Sequence, residues 1–125
     1  AREAIAALWN EEGYLVDTHT AVAYKVYRDY AEETGDETPA VIASTASAYK
    51  FAESVADACG LDVGKVKVLA NSAAEPTGFD YVKALEKATG VRVPSGLRDL
   101  EDKPVLHDRV CAKDEMSEVV MEVLE

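Results

Sequence analysis

The stretch Pro39-Ala40-Val41-Ile42-Ala43-Ser44-Thr45 decides the expected fold. It is a short apolar run that opens with proline and closes with small hydroxyl residues, which is typical of a buried strand in a parallel sheet. A helical pattern follows at once, with Phe51 and Val55 on its inner side and Gly60 as its stop. Strand, turn and helix in this order form half of an α/β crossover unit. We therefore expect an α/β fold that is helix-rich and three-layered, with a small, mostly parallel sheet around Val41 to Ala43.

Helical patterns lie on both sides of this stretch. Asp17 can cap a helix over Ala21 to Glu33, and Gly35 is a natural residue to end it. Further helices are predicted over Arg2 to Trp9 and from Phe79 to Ala88, the second of them ended by Gly90. Polar and apolar residues alternate weakly over Lys65 to Leu69, which suggests an edge strand. A final helix after Asp114 is expected to turn its apolar side chains towards the core. The apolar residues of the final helix are Met116, Val119, Val120, Val123 and Leu124.

The composition of the chain argues against several classes of function. The 125 residues include 13 basic and 24 acidic side chains, for a net charge of −11, which argues against nucleic-acid and anionic-membrane partners. No apolar run approaches the roughly 20 residues that cross a bilayer. The two cysteines, Cys59 and Cys111, are too few for a disulfide framework and indicate reduced thiols. We expect a cytoplasmic protein of one domain's size.

The sequence offers no complete catalytic constellation. It contains no GxGxxG motif, no P-loop and no HExxH pattern, and a metal site from His107, Asp108 and Cys111 is not supported by their spacing, so no metal is predicted. The hydroxyl residues Ser44 and Thr45 would lie at the carboxyl end of the expected strand, where α/β proteins bind ligands. Such residues can equally cap the next helix, and both interpretations stay open.

Two motifs resemble a known family. Gly13 to Tyr24 (GYLVDTHTAVAY) and Ile42 to Phe51 (IASTASAYKF) are similar to the C-terminal part of bacterial threonine synthase, and the tail from Val93 to His107 resembles that family's closing segment. Thr18 and Ala48 stand where the family usually has proline, which alters turn rigidity rather than a reactive group.

The resemblance implies a larger enzyme. Threonine synthases are fold-type-II pyridoxal-phosphate enzymes that convert O-phospho-L-homoserine and water to L-threonine and phosphate. Their Schiff-base lysine and phosphate-binding loop lie upstream of the region that this chain resembles, so we expect no catalytic residue here. Residues 1–125 are expected to be a single C-terminal segment, inactive alone, whose partner is the N-terminal remainder; the missing initial methionine suits this view.

The resemblance also assigns roles to residues. Thr45, with Ser44 beside it, matches the hydroxyl that hydrogen-bonds the pyridine nitrogen of the cofactor. His19 would border the pocket or cap its helix, and Asp17 would be an N-cap with a pocket role open. Apart from the resemblance, Lys50 lies in the first turn after Thr45, where a cation opposes the helix dipole, which favours a phosphate-facing role over none. The alternative hypothesis is a stand-alone acidic α/β interaction module without cofactor. A severed fragment should expose an apolar face and self-associate, whereas a module should be a soluble monomer.

Overall fold

Helices account for all the regular structure of the described part of the chain, residues 1–124 of the computed structural model. The six α-helices are α1 (Arg2–Glu12), α2 (Thr18–Thr34), α3 (Ala52–Ala58), α4 (Val63–Ala70), α5 (Gly78–Thr89) and α6 (Met116–Leu124). Two single turns of 3₁₀-helix cover Ala48–Phe51 and Leu100–Asp102. Residues 1–124 form no helix with the length and apolar character needed to span a bilayer.

The expected α/β fold with a small parallel sheet is wrong, because residues 1–124 contain no strand. Residues 39–45 have no regular secondary structure, and the side chain of Val41 is 98% exposed. A strand needs a neighbouring strand to satisfy its backbone groups, and the described chain provides none. Lys65 to Leu69 is likewise helical: Asp62 caps α4 by accepting from the amide of Lys65 at 2.8 Å.

The helix boundaries follow the local signals in the sequence. Asp17 caps α2, and Gly35 ends it in the left-handed conformation at φ 68°, as predicted. Helix α5 begins with a capping box, in which Thr77 and Asp80 each accept a hydrogen bond from the other's backbone amide. Gly90 ends α5 at φ 72°, again in the predicted place.

The core lies where α1, α3 and α5 meet. Helix α3 contacts α1 on one side and α5 on the other, and α4 packs on α5. Ile5, Val55 and Leu85 are fully buried at this junction. The hydroxyl of Tyr49 donates to the carbonyl of Val91 and so ties the 3₁₀ turn before α3 to the segment that follows α5.

Two apolar helix faces remain exposed. The stripe Val22, Val26 and Tyr30 on α2 is more than half exposed at each position. Helix α6 buries none of its apolar side chains and leaves all but Val119 exposed, so the expectation that they face the core is wrong. Both helices have an apolar stripe at helical spacing, but within residues 1–124 no element covers it.

Candidate functional site

Asp17 is the buried centre of a small polar cluster at the start of α2. It is 1% exposed, and its Oδ1 accepts from the backbone amide and from Nδ1 of His19, at 2.8 and 3.1 Å. Its Oδ2 accepts from the hydroxyl of Thr20, whose backbone amide also points at the carboxylate. A carboxylate without these donors would be costly to bury, and the helix start supplies them.

These donors also set the ionisation state of Asp17. Burial by itself raises the pKa of this carboxyl, but the hydrogen bonds from Thr20 and His19 outweigh burial and place the pKa below its ordinary value. Asp17 is therefore a carboxylate near neutral pH. As an ionised carboxylate it accepts hydrogen bonds and donates none.

The cluster extends from α2 to the unpaired segment 39–45. The oxygen of the Thr20 hydroxyl lies 2.9 Å from that of Ser44. Thr20 has a single hydroxyl proton, which goes to the acceptor-only carboxylate of Asp17, so the Ser44 hydroxyl must donate to Thr20. The outward side of the Ser44 oxygen then has its lone pairs free to accept.

His19 lies on the solvent side of this cluster. Its side chain is 74% exposed, and its ring packs against Phe51 with centroids 4.9 Å apart and planes tilted by 58°. Nδ1 faces Asp17, with the Thr18 hydroxyl at 3.4 Å. No residue in the described range makes a hydrogen bond to Nε2.

Thr45 and Lys50 lie differently from Ser44. Thr45 is exposed and follows Ser44 directly, and its hydroxyl makes no hydrogen bond to residues 1–124. Lys50 is exposed and lines a surface groove of about 740 Å³ between the 3₁₀ turn and α5. Phe51 lies between that groove and His19, since it contacts both. The structure thus groups Asp17, His19 and Ser44, with Thr45 adjacent and Lys50 apart.

Of the hydroxyls of Ser44 and Thr45, only that of Thr45 is free to donate to a cofactor such as the pyridoxal phosphate that the resemblance implies. A pyridine nitrogen forms a single hydrogen bond, and Thr45 has a free hydroxyl that can donate to it beside the anchored Ser44. The sequence contains no phosphate-binding glycine-rich motif. Nor do residues 1–124 bring together three or more His, Cys, Asp or Glu side chains in a group that could hold a metal ion. The cluster can therefore contribute to a cofactor site, whose remaining parts would come from elsewhere.

Neither Thr20 nor Phe51 was predicted from the sequence to belong to the site. Thr20 connects Asp17 to Ser44, 24 positions away, and no sequence pattern reports such a contact. The one available signal was the spacing of Asp17 and Thr20, three residues apart, which places a hydroxyl over the N-cap carboxylate. Phe51 was expected to be a core residue, and it does pack partly against the core.

These contacts define a helical domain that presents an anchored hydroxyl and a carboxylate-bound imidazole at its surface. Residues 20–83, just over half of the chain, match the family described as "Threonine synthase, C-terminal". The chain belongs to this family, and the resemblance seen in the sequence is confirmed. Searches of curated proteins and of solved structures gave no match. Ser44, Thr45 and Lys50 lie within the matched range, and Asp17 and His19 lie directly before it.

Proposed function

We propose that this chain is the C-terminal part of a threonine synthase that converts O-phospho-L-homoserine and water to L-threonine and phosphate in the cytoplasm. The observation that carries the proposal is the family match over residues 20–83, which includes both Ser44 and Thr45. In this proposal the N-terminal remainder supplies the Schiff-base lysine and the phosphate-binding loop. The chain alone is then inactive, and residues 1–125 act as one segment of a larger enzyme.

The proposed role of Thr45 is to hydrogen-bond the pyridine nitrogen of pyridoxal phosphate. When bound, this cofactor supplies the electron sink for the elimination and addition steps. A hydroxyl is a neutral partner, so it favours protonation of the ring nitrogen less than a carboxylate would and moderates the sink. Ser44 keeps Thr45 in place, because its own hydroxyl is held by Thr20 and, through Thr20, by Asp17.

The role of Thr45 is testable in the complete enzyme. We expect Thr45→Val to lower turnover while the cofactor stays covalently attached, since the lysine lies outside this chain. Thr38→Val is the matched control, because Thr38 is an exposed threonine seven positions earlier in the same segment without secondary structure. Steady-state phosphate release and the absorbance of the attached cofactor are the measurements. Kinetics unchanged by Thr45→Val would refute this role.

The exposed apolar surface supports a partner in the same enzyme. Val22, Val26, Tyr30 and Val41 are all more than half exposed, although apolar side chains in such number are usually covered. We propose that the N-terminal remainder covers them. Lys50 would then face a phosphate only if the remainder closes over its groove.

Self-association distinguishes this proposal from an independent interaction module. Without the remainder, the chain should self-associate through its uncovered apolar side chains, and adding the separately expressed remainder should dissolve the oligomers and restore phosphate release. Sedimentation velocity with a phosphate-release assay measures both effects. A monomer at all concentrations, with no activity on mixing, would favour the module.

A further inference from the structure

The carboxylate of Asp17 holds one nitrogen of the His19 ring. Nδ1 lies 3.1 Å from Asp17 Oδ1, within reach of a hydrogen bond. Because the carboxylate is ionised and accepts only, the contact is a hydrogen bond only if the proton is on Nδ1. In a neutral imidazole with a proton on Nδ1, Nε2 has a free lone pair.

The position of the ring is fixed from a second side. Phe51, from the turn before α3, packs against the imidazole at a centroid distance of 4.9 Å. Asp17 also anchors Ser44 through Thr20, so one buried carboxylate positions functional groups on two separate segments. Nε2 of His19 and Oγ of Ser44 are thereby both hydrogen-bond acceptors towards the outside.

We propose that Asp17 is a positioning residue that keeps a proton on Nδ1 of His19, so that in the neutral ring Nε2 is the free nitrogen and accepts a hydrogen bond from an O–H or N–H group of a ligand bound beside Ser44 and Thr45. The identity of that ligand, O-phospho-L-homoserine, rests on the proposed function. The tautomer of His19 does not. If Asp17 acted only as a helix cap, it would accept hydrogen bonds from the backbone amides of His19 and Thr20 alone. The proton of the neutral His19 ring would then show no preference for Nδ1 that depends on Asp17.

The tautomer can be measured directly in this chain, because it has only two histidines. His107 is exposed and without a hydrogen bond to residues 1–124, so it serves as an internal reference. We expect long-range ¹H–¹⁵N spectra at about pH 8 to show an at least tenfold preference for the Nδ1–H form of His19, relative to His107. Equal tautomer ratios at the two histidines would overturn the proposal.

Asp17→Ser separates positioning from capping. Serine is a good N-cap, so α2 should keep its start, whereas the charged acceptor for Nδ1 is lost. We expect the His19 ratio to relax about tenfold towards that of His107, with helix content by circular dichroism unchanged. A folded Asp17→Ser chain with the wild-type ratio would refute the role of Asp17. If the variant does not fold, the tautomer ratio of His19 compared with that of His107 in the wild-type chain is the test of the proposed role of Asp17.

The ligand contact is tested in the complete enzyme with two substitutions of His19. Glutamine can place a carbonyl oxygen near the position of Nε2, whereas the shorter asparagine reaches only that of Nδ1. We expect His19→Asn to raise the KM for O-phospho-L-homoserine about tenfold and His19→Gln to raise it less than about threefold. Equal effects would refute the Nε2 contact. If the wild-type complete enzyme releases no phosphate from this substrate, the proposed function fails and the ligand contact with it, while the tautomer result still decides the role of Asp17.

Discussion

Replacing Asp17 by alanine removes a buried carboxylate that serves several donors at once. The lost N-cap costs about 1 kcal/mol of the free energy of unfolding, as for other Asp-to-Ala caps. The Thr20 hydroxyl, buried against the carboxylate, loses its acceptor, which costs about 1 kcal/mol more even if the hydroxyl turns towards Ser44. The expected total is about 2 kcal/mol, or a fall in Tm of about 6–10 °C for a chain of this size.

Urea denaturation followed by circular dichroism measures this loss, and Asp62→Ala is the matched control. Asp62 also caps a helix, but it is exposed and its carboxylate accepts only from the Lys65 amide. The control should therefore lose about 1 kcal/mol, the value of a cap alone. If Asp17→Ala costs no more than Asp62→Ala, the buried contacts of Asp17 add nothing and the reasoning is refuted.

The difference in unfolding free energy between the wild type and Asp17→Ala depends on pH, and its direction follows from the pKa of Asp17. The pKa of Asp17 is lowered in the folded chain, so its stabilisation is present above the unfolded carboxyl pKa of about 3.9 and is lost as the pH falls through the lower folded value. The wild type and Asp17→Ala should therefore differ fully near pH 7 and converge below about pH 4. A difference that grows on acidification would contradict the lowered pKa.

Three further predictions concern the core and the thiols. Leu85→Ala, at a fully buried position, should cost about 2–5 kcal/mol in urea denaturation, and a loss below 1 kcal/mol would mean that the core is not where the structure places it. Tyr49→Phe should cost about 1 kcal/mol in the same assay, because the carbonyl of Val91 loses its donor; no change would show that water replaces the hydroxyl. Burial raises the pKa of the Cys59 thiol, so in a Cys111→Ser chain iodoacetamide should react with Cys59 several-fold more slowly than with free cysteine near pH 7, and an equal rate would contradict its burial.

The local signals predicted every helix except α4, where Lys65 to Leu69 was expected to form an edge strand. Asp17, Gly35 and Gly90 mark boundaries through caps and left-handed turns, which depend only on neighbouring residues, and all three are confirmed. Local signals could not decide whether residues 39–45 form a strand. Its apolar run is typical of a buried strand, but pairing depends on a neighbour, and the described chain has none. The core prediction for α6 was wrong for the same reason, because an apolar stripe shows that a helix face is to be covered but not which part of the protein covers it.

The site was predictable in part. Asp17 as an N-cap followed from its place before α2 and is confirmed by the geometry. The roles of Thr45, Ser44 and His19 came from the resemblance to threonine synthase, that of Lys50 came from its place at a helix start, and all four stay predictions. The link from Asp17 through Thr20 to Ser44 was beyond the sequence, because it joins residues 24 positions apart through a contact that only the fold creates.

The exposure of residues 39–45 has a consequence for the order of assembly. The helices that form the core bury Ile5, Val55 and Leu85 without any help from this segment, so the helical body can complete itself while the segment is still free. An exposed backbone without secondary structure is also accessible to a protease active site. A nick near Val41 should therefore form in the isolated chain and be suppressed once a partner covers the segment, so that the rate of cleavage at this point reports how far docking has proceeded.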